Sequence, residues 1–225
     1  MTTGELYSVV LALMMAFVSG LVGSFALMKK MTLAGDVISH VALPGLGAAL
    51  LFNINPFLGG GATLLIGILL IWKLQGSTEL AIETAIGVIF AASVAIGALI
   101  TPSEELIEAL FGGFEETNLQ AFLVGTIAVA IIGWFIMKFK NQLILSLFSP
   151  ELAASTGLNI SKLNLYYLLV FGLTILLGLK FLGALLVGAL IIIPAAIGRQ
   201  LTHTLYAFLI ISATASVISV IAGLS

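Results

Sequence analysis

Eight apolar runs of near membrane length, separated by short polar stretches, dominate the chain. They cover roughly residues 6–28, 33–52, 57–73, 80–100, 119–137, 163–179, 181–198 and 201–224. Most reach the ~17–25 residues that a helix needs to cross a bilayer. The third and seventh are short, which fits tilted or partial spans. The runs do not alternate in polarity as the strands of a membrane barrel would. In lipid, backbone N–H and C=O groups must be satisfied internally, so such runs read as helices. Charged residues make up 8% of the chain, against about 25% in a soluble domain. The expected fold is all-α: a polytopic helical membrane protein with about eight transmembrane segments, residues 1–225 forming a single domain. Glu5 stands where the basic start of a signal peptide would lie, and no clear small-residue cleavage site follows. The first run is therefore expected to be retained. There is no Cys, so disulfides and thiolate metal sites are excluded.

Basic residues set the expected topology. Lys29, Lys30, Lys73, Lys138, Lys140, Lys162 and Arg199 all fall in cytoplasmic loops if the amino terminus is outside. Only Lys180 then falls on the other side. The opposite orientation reverses this balance and is rejected.

Within this scaffold, Gly35–Gly45 carries the two polar side chains hardest to explain as packing, Asp36 and His40. They are four residues apart, so a helix sets them on one face, about one turn from each other. A carboxylate oxygen and an imidazole nitrogen can together hold a divalent transition metal. Ionisable groups inside spans are costly, about 2.5–3.5 kcal/mol each on insertion scales, and are functional by default. The structural alternatives are a helix-start acid favoured by the dipole for Asp36 and a hydrogen bond to a neighbouring helix for His40. Two ligands per chain are too few for a tight site, whereas a dimer with both pairs facing its axis offers four. Glu83, near the inner end of the fourth run, is a weaker metal candidate with a capping role as its alternative. His203, beside Arg199, and Glu151 read as structural.

Two loops stand out. The external loop 101–118 holds Glu104, Glu105, Glu108, Glu115 and Glu116 with no Lys or Arg. It reads as a solvated acidic loop, or as a funnel or docking surface for a partner that delivers cations. The internal loop 138–162 contains Ser149-Pro150-Glu151, which has the form of a helix start, and Gly157, a natural stop. This predicts a helix of about two turns, Pro150–Thr156, isolated between two spans. It is either a compact linker or a lever driven by a cytoplasmic partner. Gly183, Gly188 and Gly198 lie in spans where small residues let helices approach. Pro44 and Pro194 can kink or break their helices.

Several motifs in order resemble the permease subunits of the zinc/manganese/iron family of ATP-binding-cassette importers. They are Gly35-Asp36-x-x-Ser39-His40-x-x-Leu43-Pro44-Gly45, Asn55-Pro56-Phe57, Glu83-Thr84-Ala85-Ile86-Gly87 and Leu110-Phe111-Gly112. Ser149-Pro150-Glu151-x-Ala153 with Gly157 follows, then Gly183-Ala184-Leu185-Leu186 through Ile193-Pro194-Ala195-Ala196. The resemblance covers about residues 20–200. It implies a type II importer-like permease in a prokaryotic inner or plasma membrane, acting as a homodimer. Two copies of a separate ATPase would dock on the helix at Pro150–Thr156, and an extracytoplasmic metal-binding protein would dock outside. Asp36 and His40 would be the metal-handling pair. Family members usually continue past Ile193-Pro194-Ala195-Ala196 with one more apolar helix than is found here, which leaves the side of the carboxyl terminus open.

No Gly-Lys pair occurs, so the phosphate-binding pattern G-x-x-x-x-G-K-[ST] is absent. The chain is not the ATPase, and energy must come from a partner or an ion gradient. No Ser-His-Asp arrangement, HExxH motif or Cys nucleophile supports a membrane enzyme. Eight basic residues, mostly flanking spans, exclude nucleic-acid binding. No permanently bound cofactor is expected; zinc, manganese or iron is cargo, with the Ser39-His40-x-x-Leu43-Pro44-Gly45 form slightly closer to manganese/iron-type members. The leading expectation is a metal-importing permease subunit. The alternatives are a proton-coupled secondary metal carrier and a permease for a larger chelate of siderophore or cobalamin type.

Overall fold

The first helix, α1 (Thr3–Met28), begins at a reciprocal cap. The Glu5 N–H donates to the Thr2 hydroxyl at 3.2 Å, and the Thr2 N–H donates to the Glu5 carboxylate at 2.8 Å. The structure, a computed structural model, describes residues 2–31, 34–77, 81–100 and 117–224; the side chains of 181, 182, 184, 185 and 224 lie outside the description. The helices that follow are α2 (Ala34–Val41), α3 (Leu43–Leu51), α4 (Pro56–Ser77), α5 (Ile82–Ile100), α6 (Leu119–Phe148), α7 (Pro150–Ser155), α8 (Ile160–Leu201) and α9 (Leu205–Leu224). Among the described residues, seven segments are long and apolar enough to cross a membrane, α2 and α3 counting together, and Leu186–Leu201 is a shorter apolar helix. The short seventh run of the sequence is thus a real feature. The third is not short: α4 runs on past Lys73 to Ser77, because Lys73, Leu74 and Gln75 are good helix formers. The acidic loop 101–118 and its Leu110-Phe111-Gly112 motif lie outside the described residues up to 116.

α1 is the central helix. Leu11, Ala12, Met15, Ala16, Val22, Phe25 and Ala26 on it are buried, facing α6, α8 and α9. On the far side of α8, the helices α2 to α5 form a second group, with α2 and α4 against α8. Lipid offers no hydrophobic drive between helices, so close packing must come from small residues and polar contacts. Glycines supply it. Gly20 meets the backbone of Ser212 in α9, Gly23 meets Ile191 in α8, and Gly45 of α3 and Gly59 of α4 face each other backbone to backbone. Tyr167 of α8 donates its hydroxyl to the Val22 carbonyl at 3.0 Å. Past the end of α1, Lys29 Nζ donates to Asn164 Oδ1 at 2.7 Å. Burial pulls that ammonium down to about 8.

Four local outcomes differ from the sequence expectations. Residues 138–148 continue α6 as helix, because Lys138, Lys140, Asn141 and Gln142 are polar without breaking a helix. The internal connection is therefore much shorter than 138–162. α8 departs from helical geometry at Gly183, where φ is 74°, a conformation glycine adopts without strain. Pro194, by contrast, sits inside a continuous helix. Proline has no N–H for the carbonyl four residues back, and Ser216 of α9 brings its hydroxyl to within 3.5 Å of that Leu190 oxygen instead. Ser149 stands at the N-cap of α7 but makes no side-chain cap; its carbonyl accepts from the Ala153 N–H at 2.9 Å.

A Cβ at Gly59 would collide with the Gly45 carbonyl and lie 2.6 Å from the Ala49 Cβ. Overpacking of this kind costs about 1–3 kcal/mol. Gly59→Ala should lower the Tm of the detergent-purified chain by several degrees. Gly76→Ala, where nothing lies within 4 Å, should not lower it.

Candidate metal site in the second span

Asp36 and His40 both lie on α2, an eight-residue helix. Their separation of four residues brings the Asp36 Oδ1 and His40 Nε2 atoms to 3.9 Å. This is too long for a hydrogen bond. It is close to what a shared cation needs: with bonds of about 2.0–2.2 Å, two tetrahedral ligands stand roughly 3.4 Å apart, a gap that small side-chain rotations close. The Asp36 side chain is 58% exposed and that of His40 17%. The carboxylate is therefore reachable, while the imidazole sits deeper. Phe90 of α5 lies beside the imidazole, with ring centroids 5.7 Å apart and planes tilted by 60°. This restricts the His40 ring from a neighbouring span.

The helix carrying the pair is held at backbone distance from the second half of α8. A Cβ built on Gly188 would lie 2.8 Å from both N and Cα of Asp36, and one on Gly35 would lie 3.3 Å from the Gly188 Cα. Only glycine at 188 lets α8 approach this closely. Ser39 is fully buried and donates its hydroxyl to the Asp36 carbonyl, so it stabilises the turn. Just past His40, Ala42 separates α2 from α3 while its backbone stays near helical values (φ −74°, ψ −22°), with Pro44 at the start of α3. Pro44 cannot donate to the His40 carbonyl four residues before it.

Glu83 lies exposed in the first turn of α5, seven residues before Phe90. Among the described residues, no group of three or more His, Asp or Glu side chains converges. The structure thus brings Asp36 and His40 together and leaves Glu83 apart from them. His203 is exposed in the α8–α9 connection. Sequence reading missed Phe90, whose apolar character carries no signal of its neighbour. It noted Gly188 only as packing material.

At the other end, the predicted isolated helix is present as α7. Ala153 is its one buried residue, while Glu151 and Leu152 are exposed. Gly157 follows with φ 80° and ends the turn. The preceding Phe148 is also exposed, at 75%, so α6 and α7 together offer Phe148 and Leu152 as apolar knobs.

The chain is similar to known transport proteins over nearly its whole length. It is 31% identical over 218 residues to the high-affinity zinc uptake system membrane protein ZnuB of Haemophilus influenzae, covering 94% of this chain and 83% of that one. It is 30% identical over 211 residues to the manganese transport system membrane protein MntC of Listeria monocytogenes, covering 92% and 75%. Among solved structures, PsaBC from Streptococcus pneumoniae in complex with Fab superposes with a TM-score of 0.80 at 24% identity, covering 96% of this chain and 80% of that one. That likeness supports the fold: a multi-pass helical membrane protein. The family model described as ABC 3 transport family matches residues 6–225, and the chain belongs to that family.

Proposed function

We propose that the chain is the membrane permease subunit of an ATP-binding-cassette importer for a divalent transition metal, zinc or manganese first and iron as a further cargo. The single observation that carries this reading is the Asp36–His40 pair, 3.9 Å apart on one short helix in an otherwise apolar span. The relatives named for zinc and manganese uptake support it. In this reading residues 1–225 form one permease domain, with the amino terminus outside and seven of eight basic residues inside. Asp36 and His40 bind the passing ion transiently, and a second copy of the chain supplies the other two ligands. Glu83 stands closer to the cytoplasmic end as a weak accessory site for the ion. α7, with Ser149, Pro150, Glu151 and Ala153 and its stop at Gly157, receives a separate ATPase subunit. An extracytoplasmic metal-binding protein delivers the ion from outside.

The chain, a matching ATPase and a metal-binding protein are reconstituted in liposomes with radioactive zinc, manganese or iron. ATP-dependent entry of one of these is expected. Asp36→Asn and His40→Ala should each reduce it by at least the ~10-fold that even outer partners of metal ligands cost, with the complex still assembled. Uptake by the chain alone, without ATP, would instead establish a secondary carrier.

Gly188→Ala should give a similar loss of uptake without loss of assembly, because the added methyl must push α2 away from α8 at Asp36. Removal of residues 150–156 should abolish copurification of the ATPase subunit; an intact complex after that deletion would remove α7 from the docking surface.

A further inference from the structure

α7 does not hang freely between α6 and α8. The N–H groups of Gly157 and Leu158 donate back to the carbonyls of Ala154 at 3.0 Å and Ala153 at 3.2 Å. The Asn159 side chain then caps α8 by accepting from the Lys162 N–H at 3.0 Å. Every residue between α7 and α8 is engaged in a hydrogen-bonded turn or cap, so α7 is tied to the first turn of α8. Among the described residues, polar contacts tie this segment to the bundle at Asn164 and at Ser161. Asn164 accepts from Lys29 at the end of the central helix α1. The indole Nε1–H of Trp72 in α4 donates to the Ser161 carbonyl at 3.0 Å and to its hydroxyl oxygen at 3.1 Å.

The second contact leads to the metal pair. α4 crosses α3 with Gly59 and Gly45 in backbone contact. The Thr63 hydroxyl of α4 also lies 3.4 Å from the carbonyl of Ala42, two residues past His40. Resting on the reading of α7 as the ATPase-docking element, we propose that Trp72 is a positioning residue for transport. Its N–H ties the foot of α8 to α4, so that a displacement of α7 moves α4 and, through the α3–α4 crossing, the α2–α3 junction beside His40.

Proximity alone does not measure coupling, so the test reads a ratio. Metal uptake per ATP hydrolysed is measured for the full complex in liposomes, with radioactive zinc and manganese, for wild type, Trp72→Phe and Trp72→His. Phenylalanine keeps an aromatic ring and loses the donor. Histidine places Nε2 at the ring position that Nε1 occupies in indole. The expected result for Trp72→Phe is an assembled complex with unchanged Tm and ATP hydrolysis. Its uptake-to-hydrolysis ratio falls about fivefold or more, the change that one hydrogen bond of ordinary strength controls. Trp72→His recovers at least part of the ratio. An unchanged ratio in Trp72→Phe overturns the proposal, as does a complex that fails to assemble, which makes Trp72 structural. Equal loss in both variants overturns it as well, because bulk rather than the donor would then matter. A wild-type complex that moves neither metal overturns the importer reading itself, and this inference with it.

Discussion

The interior of a bilayer supplies no hydrogen-bond partners, so every interruption of a helix there must be compensated locally. This chain shifts its hydrogen-bonding register at Ala42 and leaves helical geometry at Gly183, and both positions lie close in sequence to the contact between Asp36 and Gly188. At the first, the amide groups of Gly45 and Leu46 both turn back to the Ala42 carbonyl, at 3.1 and 3.0 Å. At the second, glycine adopts the positive φ that other residues resist. Pro194 shows the opposite solution. There the helix continues, because a neighbouring serine approaches the carbonyl that proline leaves without its usual donor. The shift at Ala42 lies two residues past His40.

Placing a carboxylate and an imidazole in a span is expensive, and the surrounding helices close around the imidazole while leaving the carboxylate exposed. α2 is short, and its inner face is closed by Ala34, Gly35, Ile38 and Ser39, all buried. Its polar face is left open at Asp36. The backbone contact at Gly188 fixes where that face points, and Phe90 restricts the imidazole from the opposite side. Neither neighbour offers a competing hydrogen-bond partner to the pair. In the proposed metal-binding reading, the lone pairs of the carboxylate and the imidazole are then available to a cation.

Much of this was legible in the sequence. Apolar runs of membrane length specify helices almost unambiguously, since no other open structure satisfies the backbone in lipid. The i, i+4 spacing of Asp36 and His40 placed them on one face before any coordinates. The Ser149-Pro150-Glu151 start and the Gly157 stop located α7 to within a residue of Pro150–Ser155. What sequence could not convey was partnership. A chain with 24 glycines announces close helix approach without saying that Gly35 meets Gly188 or that Gly45 meets Gly59. Residues such as Lys138 and Gln142 mark the edge of an apolar run, yet they are good helix formers, so α6 passes through them until Pro150 ends the possibility. Glu83 matched a motif, but a motif carries no distance, and the structure leaves Glu83 outside the pair.

A transport site also has to be weaker than a structural one. Structural zinc sites hold the ion with four protein ligands in a closed shell, and such a site would retain its ion rather than pass it on. In the proposed reading Asp36 and His40 supply two ligands per chain, set slightly wider than a shared ion requires, near the end of a short helix. If a second copy supplies the other half, the shell is complete only while two α2 helices are held at the right separation. That separation depends on the Gly188 contact on one side and on α3 and α4 on the other. A small rigid-body shift of either would change four metal–ligand distances at once. On that reading, the low ligand count and the shared, movable shell are two aspects of one requirement: affinity must depend on a movement the protein can drive.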